Sequence, residues 1–244
     1  MRVLARRAVA SALVALSCTP PAFLQPRAAQ AATTADRVDT VTGKLVLNQP
    51  PTIDVRTAPP LVTSRCFLDV SIGGERAGRL DIELYGEVAP KAAENFRCLC
   101  TGEKGFGYAG STFYKLVDGL ALQGGDVLGK GEGKSIYGDP FVHDGYAVMH
   151  NVAGMVSMVN SGVGGSSGTS DSRFLIQPID DAGFLDGRYE AFGRVYQGLD
   201  VVRKIEGVRT GGNKKAPVEK IVIESAGEYA PPPPPPPAAP ADAA

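Results

Sequence analysis

The chain has 244 residues, with 25 lysines and arginines against 26 aspartates and glutamates, for a formal net charge of −1 at pH 7. It holds no basic block and no aromatics interleaved with cations, so it offers nucleic acid no electrostatic surface. No stretch after residue 17 is apolar for long enough to span a bilayer as a helix.

Residues 1–31 read as a targeting segment. Arg2, Arg6 and Arg7 make a basic start, residues 8–17 form a short apolar run, and Ala29-Gln30-Ala31 is an A-x-A cleavage signal that makes Ala32 the first mature residue. Arg6-Arg7 also permits a twin-arginine route. These features suit a chloroplast thylakoid lumen, while periplasm or secretion would look similar. Residues 32–64 are punctuated by Pro50-Pro51 and Pro59-Pro60 and read as a linker with one short strand at 44–47.

The domain is expected at 65–228. Residues 66–72 and 77–85 alternate as strands around Gly73-Gly74, a tight-turn signal, with Leu80, Ile82 and Leu84 on one face. Val88-Ala89-Pro90-Lys91 opens a helix, because proline at a first-turn position loses no hydrogen bond. Ala92, Phe96 and Leu99 follow at helical spacing, and Gly102 ends it. Further strands are expected at 111–117, 121–124, 154–160, 173–177, 190–195 and 218–224, with a second helix at 199–205. So many short strands with glycine turns and two helices point to a mainly β fold, a closed β-barrel with helical plugs, since closure removes exposed edges.

Gly129-Lys130-Gly131-Glu132-Gly133-Lys134-Ser135 imitates a phosphate loop, but Leu128 stands where a Walker A glycine belongs and no helix signal follows Ser135. It reads as a surface turn. Cys66, Cys98 and Cys100 survive processing, an odd number that cannot pair completely and that reads as buried thiols. A zinc site at Cys98, Cys100 and one of His143 and His150 is the weaker alternative, and no cofactor is expected. Residues 229–244 form a proline-rich tail. Its seven prolines at 231–237 read as a polyproline II rod of roughly 20 Å at about 3.1 Å per residue, either a solvated tail or a docking ligand.

The segments "APKAAENFRCLCTGEKGFGYAGSTFYKLV", "LQGGD", "GKSIYGDPF", "GMVSMVNSG" and "FLDGRYEAFGRV" stand in the order and close to the spacing of one family. Over residue 66 to about 227 the chain resembles the cyclophilins, peptidyl-prolyl cis-trans isomerases, and its targeting segment resembles the organelle branch of plants and algae. The resemblance implies an eight-stranded antiparallel barrel capped by two helices, with a proline-binding groove on its outer surface. Proline-containing peptides and unfolded proteins would be its partners, with the chain acting as a monomer.

Such an enzyme needs an apolar pocket for the proline ring, polar groups on the flanking backbone, and a donor aimed at the twisted bond. The resemblance places Lys115 at the position of the family's catalytic arginine and Gln123 at that of the glutamine holding the substrate backbone. It places Asn160, with neighbours Val159 and Ser161, where main chain pairs with the peptide. Phe113 matches the aromatic beneath the groove and Leu185 a rim leucine. Leu120, Ala121 and Leu175 stand where the family has larger pocket residues. Phe184 replaces a tryptophan, Tyr189 a histidine and Arg173 a positioning glutamine. Lysine keeps the charge but loses the planar fork, so Arg173 could supply part of what is missing by turning inward. Phe184 also implies poor binding of cyclic-peptide inhibitors. The bland readings are a solvated Lys115, turn roles for Gln123 and Asn160, and a structural Tyr189. Two functions stay open: an isomerase of reduced turnover assisting protein folding, and a proline-binding scaffold or assembly factor.

Overall fold

The computed structural model describes residues 37–38, 45–46, 52–129, 132–160, 168–213 and 215–230. The targeting segment, the proline run and Ser161 lie outside them. Strands Ser64–Ile72 (β1) and Glu75–Leu84 (β2) form the first hairpin, with Ile72 opposite Glu75. Gly73 and Gly74 join them at φ of 61° and 89°, the left-handed pair that a tight two-residue hairpin turn demands. Alternation buries Cys66, Leu68 and Val70 of β1 against Leu80, Ile82 and Leu84 of β2.

Helix α1, Pro90–Thr101, begins at the expected proline and ends at Gly102, whose φ of 69° turns its N–H back to the Cys98 carbonyl. Ala89 at its N-cap contributes no side-chain bond. Asp144, far along the chain, fills that role: its Oδ2 accepts the Lys91 N–H at 2.7 Å and its Oδ1 lies 3.3 Å from Lys91 Nζ. An anion there satisfies an orphan donor and faces the positive end of the helix. Asp144→Ala is therefore expected to cost about 1 kcal/mol. A lower denaturant midpoint at unchanged m-value is the readout; an unshifted midpoint would mean that water caps the helix equally well.

The remaining strands are Lys115–Val117 (β3), Ala121–Gly124 (β4), Met155–Asn160 (β5), Thr169–Ile176 (β6), Ala191–Gln197 (β7) and Ile221–Glu228 (β8), with helix α2 at Leu199–Glu206. They form one antiparallel sheet in the order β8-β1-β2-β7-β5-β6-β4-β3, with the short strand Phe141–Val142 added beside β6. The sheet curls into a barrel without a continuous closing ladder. Instead Gly110 and Phe113 donate to the Ile223 and Ile221 carbonyls, and Ile223 donates to Ser111. The strand expected at 111–117 is thus split: its first half bridges to β8 and only Lys115–Val117 pairs with β4. Inside, Phe96 of α1 meets Tyr108, Phe174 and Phe192 at ring separations of 5.0–5.4 Å, and Phe113 packs on Phe174. Among the described residues no helix is long and apolar enough to cross a membrane.

Part of the stretch expected as linker docks on the barrel. Ile53 pairs in parallel with Val148, Thr52 and Ile53 both donate to the Ala147 carbonyl, and Val55 is buried with Tyr85, Met155 and Ala191. The short strand expected at 44–47 occurs as Leu45–Val46, paired with Arg37–Val38. Cys66, Cys98 and Cys100 are free, buried thiols. Burial, reinforced by the carboxylates of Glu103 and Glu94, pushes Cys98 up to about 12. Glu94, Cys98 and Glu103 draw their polar atoms together, but the Arg97 guanidinium sits among all three and satisfies them as an ion-pair cluster.

Candidate active site

A tight turn with Gly119 at φ 62° and a Leu120 N–H to Val117 carbonyl bond of 2.9 Å brings β3 back as β4. The resulting register sets Lys115 opposite Gln123, Gln123 opposite Leu175 on β6, and Leu175 opposite Ser157 on β5. Four residues remote in sequence stand in one row across four strands. At about 4.8 Å between strands, Lys115 and Leu175 are about 10 Å apart across the row. Side chains alternate, so Ala121 lies on the Gln123 face and Arg173 on the Leu175 face.

That face carries its own apolar cluster, separate from the barrel core. Ala121, Leu175, Ala182 and Leu185 are buried in it, with Leu120, Val159, Ile179 and Tyr189 packed against them. The expected pocket residues Leu120, Ala121, Val159, Leu175, Leu185 and Tyr189 therefore converge. Leu185 arrives on a single 3-10 turn, Gly183–Leu185, which also presents Phe184, 52% exposed, at the rim. Asn160 ends β5 opposite Ser170. Phe113 lies behind the sheet in the barrel core, beneath this face.

The polar groups are set by neighbours that the sequence did not single out. Tyr114 donates its hydroxyl to Gln123 Oε1 at 3.2 Å, which fixes the amide and leaves its Nε2 as the donor end. Burial pushes the Tyr114 phenol up to about 12, so it remains a donor. Lys115 is half-buried, and among the described residues its ammonium has no hydrogen bond or ion pair. Arg173 does not supply a free fork. Asp171, almost fully buried, takes Arg173 Nε at 3.0 Å on Oδ1 and Nη2 at 2.7 Å on Oδ2. One edge of the guanidinium is consumed in that clamp.

Behind the cluster, His150 Nδ1 donates to Asp186 Oδ1 at 2.8 Å and His150 Nε2 accepts the Ser157 hydroxyl at 2.8 Å. The pattern imitates a nucleophilic triad. With Ser157 wholly enclosed and His150 only 1% exposed, no substrate reaches it. It is a pin: Asp186 closes the 3-10 turn, so the histidine ties the Phe184–Leu185 rim to the sheet floor beside Leu175. Removing His150 strands the buried Ser157 hydroxyl, worth about 1–3 kcal/mol, and frees the part-exposed Asp186 carboxylate from its ring partner. His150→Ala should lose stability and raise KM more than it lowers kcat. Thermal melts and steady-state kinetics check this, and an unchanged KM would dismiss the pin.

Residues 67–228 match the family model described as cyclophilin type peptidyl-prolyl cis-trans isomerase/CLD. The chain is also 42% identical over 177 residues to the peptidyl-prolyl cis-trans isomerase CYP21-1 of Arabidopsis thaliana, an alignment covering 68% of this chain and 76% of that protein. The matched segment runs from β1 to the end of β8, the whole barrel, and the chain belongs to the cyclophilin-type peptidyl-prolyl cis-trans isomerases.

Proposed function

We propose that this isomerase twists X-Pro bonds in the groove around Lys115, Gln123 and Leu175, with a turnover reduced by lysine at position 115. The carrying observation is the row itself: an ammonium without a hydrogen bond or ion pair among the described residues, an amide whose Nε2 remains a donor, and an apolar cluster side by side on one sheet face. The barrier of roughly 18–20 kcal/mol is amide resonance, and rotation breaks no covalent bond. Catalysis therefore needs only contacts that strengthen as the bond twists.

In this reading the partly buried Leu120, Val159 and Tyr189 meet the proline ring, over a floor of the buried Ala121, Leu175 and Leu185. Gln123 Nε2 donates to a substrate carbonyl, and Asn160 at the end of β5 lines the approach of the flanking chain. Lys115 donates to the imide nitrogen, which becomes an acceptor once twisting has ended its resonance. An ammonium is a strongly hydrated point charge without the guanidinium's two-pronged geometry, so it holds the twisted state less well. Arg173 is clamped by Asp171 and cannot replace a fork at 115.

One chain carries every group of this groove, which supports action as a monomer on proline-containing segments of unfolded proteins. The basic, A-x-A-terminated segment 1–31 and the similarity to a plant protein support delivery to the thylakoid lumen. Titrating a short Ala-Pro peptide into nitrogen-15-labelled protein tests the location of the site. Shifts should gather at Lys115, Gln123, Leu175 and Leu185 and spare the Gly73-Gly74 turn. Shifts elsewhere, with this face silent, would refute it.

A further inference from the structure

The prolines at 231–237 and the Ala238-Ala239-Pro240 that follows have no part in the fold or in the chemistry above. Their backbone has an unusual polarity. Each proline contributes a carbonyl acceptor and no N–H. The groove is the complement: the Lys115 ammonium only donates, and Gln123 already accepts from Tyr114 with Oε1 and keeps the two N–H donors of Nε2. Beside these donors lies the Ala121–Leu175–Leu185 floor, with the exposed Phe184 ring at its rim.

Reach selects which part of the tail fits. The chain leaves the barrel at Tyr229, anchored by its N–H on the Arg65 carbonyl at 2.8 Å and its hydroxyl on Asp81 at 2.6 Å. The opposite end of β8 is next to the groove, since Phe113, two residues before Lys115, donates to Ile221. Following β8 from Glu228 to Ile221, crossing to Phe113 and going on to Lys115 is nine steps of about 3.3 Å and one crossing of about 4.8 Å, a path of about 35 Å. At about 3.1 Å per residue, Pro234 is only about 19 Å beyond Glu228, whereas Pro240 is about 37 Å beyond it. The first prolines fall short along this path, and Ala239-Pro240 arrives. The proline run is the spacer, and a tether of this length holds its end at an effective concentration on the order of millimolar.

We propose that Ala239-Pro240 occupies the groove of its own chain as an internal competitor for X-Pro substrates, a proposal that rests on the groove being the substrate site. The experiment compares three full-length chains: wild type, Pro240→Ala, and one with 231–240 replaced by a Gly-Ser segment of equal length. KM for an Ala-Pro peptide should fall about threefold or more in both variants, with kcat unchanged and the difference independent of protein concentration. Equal KM values in all three overturn it. So does a difference that disappears on dilution, which would seat the tail in a neighbour's groove. If no chain binds or turns over the peptide, the groove itself has been misassigned and the proposal falls with it.

Discussion

Lys115→Ala should lower kcat/KM for an Ala-Pro peptide by about ten- to a hundredfold while leaving peptide affinity nearly unchanged. The ammonium meets its acceptor only when the imide nitrogen has lost its resonance, so its contribution falls on the transition state rather than on the bound ground state. A charge-assisted hydrogen bond is worth about 1.5–3 kcal/mol, and each 1.36 kcal/mol is about tenfold in rate. Lys115→Arg should move the other way, because a planar fork can hold the twisted bond through more than one donor. Steady-state kinetics on the three proteins separate the cases. A loss confined to KM would make Lys115 a binding residue, and no loss would make it a solvated cation.

Stability should fall as pH rises from about 6.5 to about 8, at up to about 1.4 kcal/mol per pH unit, and Glu190→Gln should flatten that decline. Glu190 is almost completely buried at the start of β7. Its Oε1 accepts the Asp144 and Gly145 N–H groups, while its buried Oε2 has no partner among the described residues. Burial, with the Asp144 carboxylate adding to it, pushes Glu190 up to about 8 against the two N–H donors and Lys91. The folded chain therefore keeps a proton that the unfolded chain releases near 4.5. That contribution is complete below the unfolded value and is lost as pH climbs through the folded one.

His143, beside the same loop, works in the opposite sense. It contacts Tyr146 and Ser170, and burial pulls it down to about 4. Its contribution is present above about 6.5 and is lost as pH falls toward 4. The two oppose each other between about 4.5 and 6.5, so the Glu190 slope is clean only above that range. Denaturation midpoints across pH 6.5–8 would contradict the assignment by staying level in wild type or by declining equally in Glu190→Gln.

Local signals were legible where a short stretch decides its own conformation. The Gly73-Gly74 hairpin, the Pro90 start and Gly102 end of α1, and the 121–124 strand lie where alternation and turn chemistry put them. What pairs over distance was not. Nothing near residue 53 announces bonds to Ala147 and Met149, and nothing near Pro90 points to a cap supplied by Asp144. The proposed groove rests on family motifs, which name Lys115, Gln123 and Leu175 but are silent on what positions them. Tyr114, Asp171 and the His150 pin emerge only from the register of β3 to β6 and from the turn that follows β6. A buried histidine between a serine and an aspartate has no sequence signature when the three are distributed over residues 150, 157 and 186.

The central claim is that this face catalyses, and NMR exchange between the cis and trans resonances of an Ala-Pro peptide tests it most directly. With catalytic amounts of wild-type protein, exchange that is otherwise slow should become measurable, and with Lys115→Ala at equal peptide occupancy it should fall back toward the uncatalysed rate. Wild-type exchange as slow as that of free peptide, while groove resonances still respond to it, would contradict the account and leave the face a recognition surface.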